Sequence, residues 1–206
     1  MLARLTDARV MNAGDGAHEH PTQALLDMYT VQTHLGRLDG VRIGIVGDIV
    51  HSRVARSNAL GFRRMGADVV LIAPPTLLPH DVGALGSRWS HDLDAELPSL
   101  DVVYLLRMQR ERHREPLIPS EREFTHMFGL TRERLGKLAS SAVVMHPGPM
   151  NRGVEIDWEA AESEVALVEA QVSAGVAVRM ALMYLLLGGQ PASAAGGVPP
   201  AAEVAS

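Results

Sequence analysis

Three polar clusters in this sequence carry side chains that could act on a small anionic substrate. The first is NAGDGAHEHPTQALLD, residues 12–27, which gathers Asp15, His18, Glu19, His20, Thr22 and Gln23 at one loop-to-helix junction. Pro21 suits a first helical position. His20, Thr22 and Gln23 therefore sit where unpaired backbone N–H groups and the positive end of the helix dipole favour negative charge. The plainer alternative has His20 capping the helix and Gln23 packing in its first turn. His18 and His20 flank Glu19, but a His-x-His pair is a weak metal signal without a third ligand, and no metal is expected. The second cluster, DIVHSR, places Asp48, His51, Ser52 and Arg53 after an apolar run. The third combines Arg107 and Gln109 with His146, Pro147, Gly148 and Pro149, again after apolar runs. Arg53 and Arg107 reaching one crevice would suit a dianion, because guanidinium forks grip carboxylates bidentately. On spacing alone, two surface ion-pair arginines remain the better-supported reading.

Positioning these groups requires an alternating α/β chain. VRIGIVG at 41–47, DVVLIAP at 68–74, DVVYLLR at 101–107 and AVVMHPGP at 142–149 read as buried strands running into loops. Between the first two, a helix from Ser52 to about Met65 has Ser52 as N-cap and Gly66 as stop. This βαβ unit predicts a parallel sheet with right-handed crossovers and helices on both faces. In such a sheet, ligands bind beyond the carboxyl ends of the strands, where the second and third clusters fall. A helix over 21–35 ends at Gly36, with Leu25, Tyr29, Met28 and Leu35 as its expected core-facing stripe. Two further helices are expected near 120–127 and 131–138. A long helix over 164–187 is apolar almost all round, broken mainly by Arg179, and needs cover on several faces. The Ala/Gly/Pro/Ser-rich tail, 188–206, is expected to be disordered.

Composition narrows the function. A net charge of -5 and few aromatic residues disfavour nucleic acid as a partner. No cysteine means no disulfide, no thiolate nucleophile and no cysteine-based metal site, which suits a reducing cytoplasm. The longest apolar run, ALMYLLL at 181–187, is far short of the ~20 residues that span a bilayer, so no membrane is expected. GIVGD lacks the spacing of a dinucleotide fingerprint, and no phosphate-loop lysine follows it.

NAGDGAHEHPTQALLD, GDIVHSRVARSN, LLRMQRER and HPGPMNRGVEI, in this order, closely resemble the aspartate carbamoyltransferase catalytic chains of the aspartate/ornithine carbamoyltransferase superfamily. The resemblance covers roughly residues 8–187. It implies a Rossmann-like aspartate-binding domain and transfer of the carbamoyl group from carbamoyl phosphate to the amine of L-aspartate, in pyrimidine biosynthesis. By motif, it implies that His20 hydrogen-bonds the carbamoyl oxygen and Gln23 orients the carbamoyl amide. It likewise implies that Arg53, Arg107 and Gln109 hold aspartate and that the backbone around Pro147, Gly148 and Pro149 accepts from the reacting NH groups. No metal or organic cofactor is implied. The implied partners are the two substrates and a homotrimer of catalytic chains, with regulatory or dihydroorotase-like subunits left open.

The resemblance also implies a division of the chain. Residues 1–20 would be a remnant of a carbamoyl-phosphate domain, 21–35 a crossing helix, 36–163 the aspartate-binding domain and 164–187 a helix packing back toward the first domain. The family's S-T-R-T phosphate motif and mobile-loop lysine are absent, and Lys137 lies in the wrong context to replace that lysine. The 206 residues alone are therefore expected to be inactive and poorly soluble. The alternatives are a non-catalytic amino-acid-binding or partner homologue, and ornithine carbamoyltransferase. HPGP in place of a cysteine-containing signature disfavours ornithine.

Overall fold

A computed structural model describes residues 4–85, 88–108, 118 and 120–188. Five strands form one parallel sheet: β1 (Arg42–Val46), β2 (Asp68–Ile72), β3 (Arg88–Ser90), β4 (Val102–Leu105) and β5 (Val143–Met145), in the order β3-β2-β1-β4-β5. Four of them are the apolar runs expected from sequence, each trimmed at its ends. Their Val, Ile and Leu side chains are buried throughout, as a sheet covered on both faces requires. The fifth, β3, was not anticipated. It is a three-residue edge strand carrying an exposed Arg88 and Trp89, so it has no buried run to announce it. The register Ile45↔Tyr104 and Val46↔Leu105 sets the carboxyl ends of β1 and β4 side by side, and the strand order reverses at this pair. Right-handed crossovers on either side of that switch point send helices to opposite faces of the sheet.

Seven helices accompany the sheet among the described residues: α1 (Pro21–Leu35), α2 (Arg53–Arg64), α3 (Leu93–Glu96), α4 (Glu121–Phe128), α5 (Arg132–Leu135), α6 (Trp158–Ala161) and α7 (Val168–Leu186). Helix α2 starts as read, with Ser52 Oγ accepting from Ala55 N–H at 3.1 Å. Ser120 and Thr131 cap α4 and α5 in the same way. Gly44, in the middle of β1, lies where a Cβ would stand 2.5 Å from Leu100 Cδ1, so the Leu100 side chain packs over the space that glycine leaves.

Helix α1 corrects the expected stripe. Leu25 is 40% exposed and Tyr29 47%, whereas the buried face carries Gln23, Leu26, Asp27, Thr30 and Val31. Helices α2 and α7 pack against α1, and the buried polar groups are satisfied internally; Thr30 Oγ1, for example, donates to Leu26 O at 2.8 Å. Met28 and Leu35 of the expected stripe do pack against the core, and Leu25 and Tyr29 fall outside it because a closed polar network occupies part of the inner face. Helix α7 starts four residues later than expected and buries only Gln171, Ala174 and Gly175, leaving Val172, Val176, Met180, Met183, Tyr184 and Leu185 exposed. Among the described residues no helix is long and apolar enough to cross a membrane. Gln109 and residues 189–206 of the expected tail lie outside the described residues.

Candidate active site

The loop before α1 is built around Asp15. Its Oδ1 accepts from Glu19 N–H at 2.7 Å, its backbone N–H donates to Glu19 O, and its Oδ2 lies 3.3 Å from His18 Nδ1. The backbone bond from Glu19 is the main reason the Asp15 carboxyl lies below its ordinary value. Glu19 is taken up by Ser57 of α2, whose Oγ donates to it and accepts from His20 N–H at 2.9 Å. The glycine-flanked acid and the acid between the histidines therefore shape this loop. Among the described residues no cluster of three or more His, Cys, Asp or Glu is arranged to hold a metal ion.

His20 stands at the N-cap position of α1 without a side-chain cap bond, so the plain capping role is not the one it plays. Its Nδ1 lies 3.3 Å from Thr22 Oγ1. When the hydroxyl donates there, the ring proton sits on Nε2 and can be given to a ligand. Burial lowers the His20 pKa, and the nearby charges of Arg53 and Arg179 lower it further, so the ring is neutral at pH 7. Arg53, the first residue of α2, passes under the 14–16 turn, with Nη1 3.5 Å from Gly16 O. Gly14 makes this passage possible: a Cβ there would stand 2.7 Å from Arg53 Cζ, and its φ of +115° disfavours any other residue.

A cavity of about 270 Å³ opens at the carboxyl edge of the sheet, lined by Gln23, His146, Pro147, Gly148, Gln171 and Arg179 together with apolar residues of α1 and α7. The loop on one side is held by buried His146. Its Nδ1 accepts from Gly148 N–H at 2.9 Å, which puts the ring proton on Nε2, facing Glu155 Oε1 at 3.3 Å. The Gly148–Pro149 peptide bond is cis. Asn151 ties the same loop to the end of β4 through Met108 O at 3.2 Å. Arg107 follows β4 at this edge and is half-buried.

Gln23 is buried, and its Nε2 donates to Asp27 Oδ1 at 3.1 Å. Asp27 is fully buried and also accepts from Gln171 Nε2 (2.7 Å), Asn58 Nδ2 (2.9 Å) and Tyr104 OH (2.7 Å). Burial pushes its carboxyl up to about 6 against the pull of these four donors. Burial and the Asp27 charge likewise raise Tyr104.

The structure thus brings His20, Arg53 and Arg179 into one electrostatic cluster, and Gln23, Pro147, Gly148 and Arg179 to one cavity. Arg107 is placed beside them only by the adjacency of β1 and β4. Arg179 and the Asp27 network were missed from sequence. Arg179 had a usable signal, being the one charge in an otherwise apolar helical stretch. Asp27 had only its spacing of four from Gln23.

The fold and this cavity define a class: a doubly wound parallel α/β protein with a candidate small-molecule site, lined by histidine and arginine, beyond the carboxyl end of its sheet. The chain belongs to the aspartate/ornithine carbamoyltransferase family. Residues 39–186 match the family's Asp/Orn binding domain and residues 1–33 match its carbamoyl-P binding domain. The aspartate carbamoyltransferase catalytic subunit of Desulfitobacterium hafniense is 54% identical over 188 residues, covering 91% of this chain and 60% of that protein. That of Thermobifida fusca is 56% identical over 188 residues with the same coverage, 91% and 60%. The catalytic subunit of M. jannaschii aspartate transcarbamoylase superposes with a TM-score of 0.77 at 30% identity, covering 90% of this chain and 61% of that one. The chain therefore spans about three-fifths of the length of the relatives it matches.

Proposed function

We propose that this chain is the aspartate-binding part of an aspartate carbamoyltransferase. It would move the carbamoyl group of carbamoyl phosphate to the amine of L-aspartate, giving N-carbamoyl-L-aspartate and phosphate, a step of pyrimidine biosynthesis in the cytoplasm. The observation that carries this reading is the cavity between Gln23 and the His146–Gly148 turn, with His20 at the start of the same helix in the field of Arg53 and Arg179.

In this reaction the amine attacks the carbamoyl carbon, the carbonyl oxygen gains negative charge, and the tetrahedral intermediate expels phosphate. His20 Nε2–H donates to that oxygen as its charge grows, and a preorganised donor stabilises the transition state more than the ground state. Gln23 orients the carbamoyl amide. The carbonyls of Pro147 and Gly148 accept from the carbamoyl NH2 or the attacking amine, and Pro149 shapes their turn. Arg53, Arg107 and Gln109 hold the two carboxylates of aspartate. The residues act by position and charge, and no cofactor enters the chemistry. Helices α1 and α7, within segments 21–35 and 164–187, join this domain, 36–163, to a carbamoyl-phosphate domain of which 1–20 is part. The working assembly is a homotrimer of catalytic chains.

The test is production of N-carbamoyl-L-aspartate, followed by mass spectrometry, from the protein at the length its own cells make. L-ornithine is offered in parallel. Product from aspartate and none from ornithine supports the reading. Turnover of ornithine alone reassigns the acceptor, and turnover of neither favours a non-catalytic homologue.

A further inference from the structure

Asp27 touches no substrate in the reaction above, yet its carboxylate stands between the two sides of the carbamoyl site. Four neutral donors close on it, from four elements: Gln23 of α1 and Gln171 of α7 on Oδ1, Asn58 of α2 and Tyr104 of β4 on Oδ2. An ionised carboxylate offers about four lone-pair sites, so this set fills it. Two of the donors lead into the site. Gln23 lines the cavity itself, and Gln171 lines it too while its Oε1 accepts from His146 N–H at 2.9 Å. His146 in turn fixes Gly148 through its ring.

Direction matters in this chain of bonds. A carboxylate that only accepts forces both glutamines to present Nε2 to it. The Gln171 oxygen is thereby aimed at His146, and the Gln23 oxygen is turned away from Asp27. An amide at position 27 would meet this ring of donors with a donor of its own and would let the glutamines flip. Stability alone is a poor account of the arrangement, because apolar side chains of similar volume fill such a place at least as well as a buried charge with no cation.

We propose that Asp27 is a positioning residue whose carboxylate orients Gln23 and, through Gln171, the His146–Gly148 turn, making the two sides of the carbamoyl site one hydrogen-bonded unit. The inference rests on the reading of Gln23 and residues 147–148 given under the proposed function.

The relay is tested on the isotope-labelled chain by NMR, following the Gln23 side-chain NH2 signals and amide exchange at His146. Asp27→Asn is expected to shift the Gln23 signals and to speed exchange at His146 by about tenfold, the equivalent of one lost hydrogen bond. Gln171→Leu, which cuts the relay one step further on, is expected to speed His146 exchange with little effect on Gln23, and serves should Asp27→Asn fail to fold. Phe128→Leu, a core lesion outside the relay, is expected to do neither. Unmoved His146 exchange in a folded Asp27→Asn, unmoved exchange in Gln171→Leu, or equal movement in Phe128→Leu overturns the proposal. At native length, Asp27→Asn is expected to lower kcat by about tenfold with the KM for aspartate within about threefold, and an unchanged kcat also overturns it. A parent protein that makes no carbamoyl aspartate overturns the reaction assignment instead, while the NMR readouts still decide whether Asp27 orients both sides.

Discussion

The charge on Asp27 should be visible in how stability depends on pH. Its carboxyl is pushed up to about 6 from an ordinary 3.8, chiefly by burial. One pKa unit corresponds to about 1.4 kcal/mol, so the whole shift is worth about 3 kcal/mol. The folded chain binds this proton more tightly than the unfolded chain does. The contribution is therefore fully present below pH 3.8 and is lost as pH rises through about 6. Linkage over the interval from about pH 5 to about pH 7.5 gives a loss of about 1.4 kcal/mol from this group. Urea denaturation of the chain and of Asp27→Asn at both pH values isolates it, because His20 and every other titrating group occur in both proteins and drop out of the difference. The parent is expected to lose about 1.4 kcal/mol more than the variant over this interval. Equal pH dependence refutes the reasoning, since burial would then not dominate the carboxylate's energy. A parent that gains stability relative to the variant as pH rises inverts it, and means that the four donors outweigh desolvation.

Four further outcomes follow from the geometry. Gly14→Ala adds a methyl 2.7 Å from Arg53 Cζ at a φ of +115° and is expected to cost about 1–2 kcal/mol in urea denaturation while weakening aspartate binding, measured by calorimetry. Arg134, itself buried, donates to Asp94 and to the carbonyls of Thr125, His126 and Gly129 at the end of α4, so Arg134→Met is expected to destabilise the chain by about 2–4 kcal/mol. The same bonds hold Asp94 well below the usual carboxylate range, so their contribution is present above pH 3.8 and lost as acid protonates that group, and Asp94→Asn should flatten the acid limb of the stability profile. Val176 and Met180 are about 60% exposed on α7, and replacing both with Lys is expected to leave stability within about 0.5 kcal/mol while light scattering records less self-association.

What the sequence revealed, and what it hid, divides by how many elements a feature needs. A strand such as Val102–Leu105 and a cap such as Ser52 are decided within a few residues, and both were legible. The strand-end rule also put residues 48–53, Arg107 and the His146–Gly148 turn beyond the carboxyl ends of strands, because that rule needs only topology. The Asp27 network needs side chains from α1, α2, β4 and α7 at once, and no periodicity within one helix encodes that. Helix α1 shows the consequence most sharply. Its pattern was read as a single apolar face turned inward, but its faces are divided: one carries the buried polar network, and another, with Leu25 and Tyr29, faces solvent. A helix that buries polar groups on one face and exposes apolar side chains on another weakens its own amphipathic signal, since each departs from the expected placement. The misread stripe therefore belongs to the same design as the site. The inner face of α1 carries Gln23, Asp27 and Thr30 beside Ala24, Leu26 and Val31, while Leu25 and Tyr29 point outward.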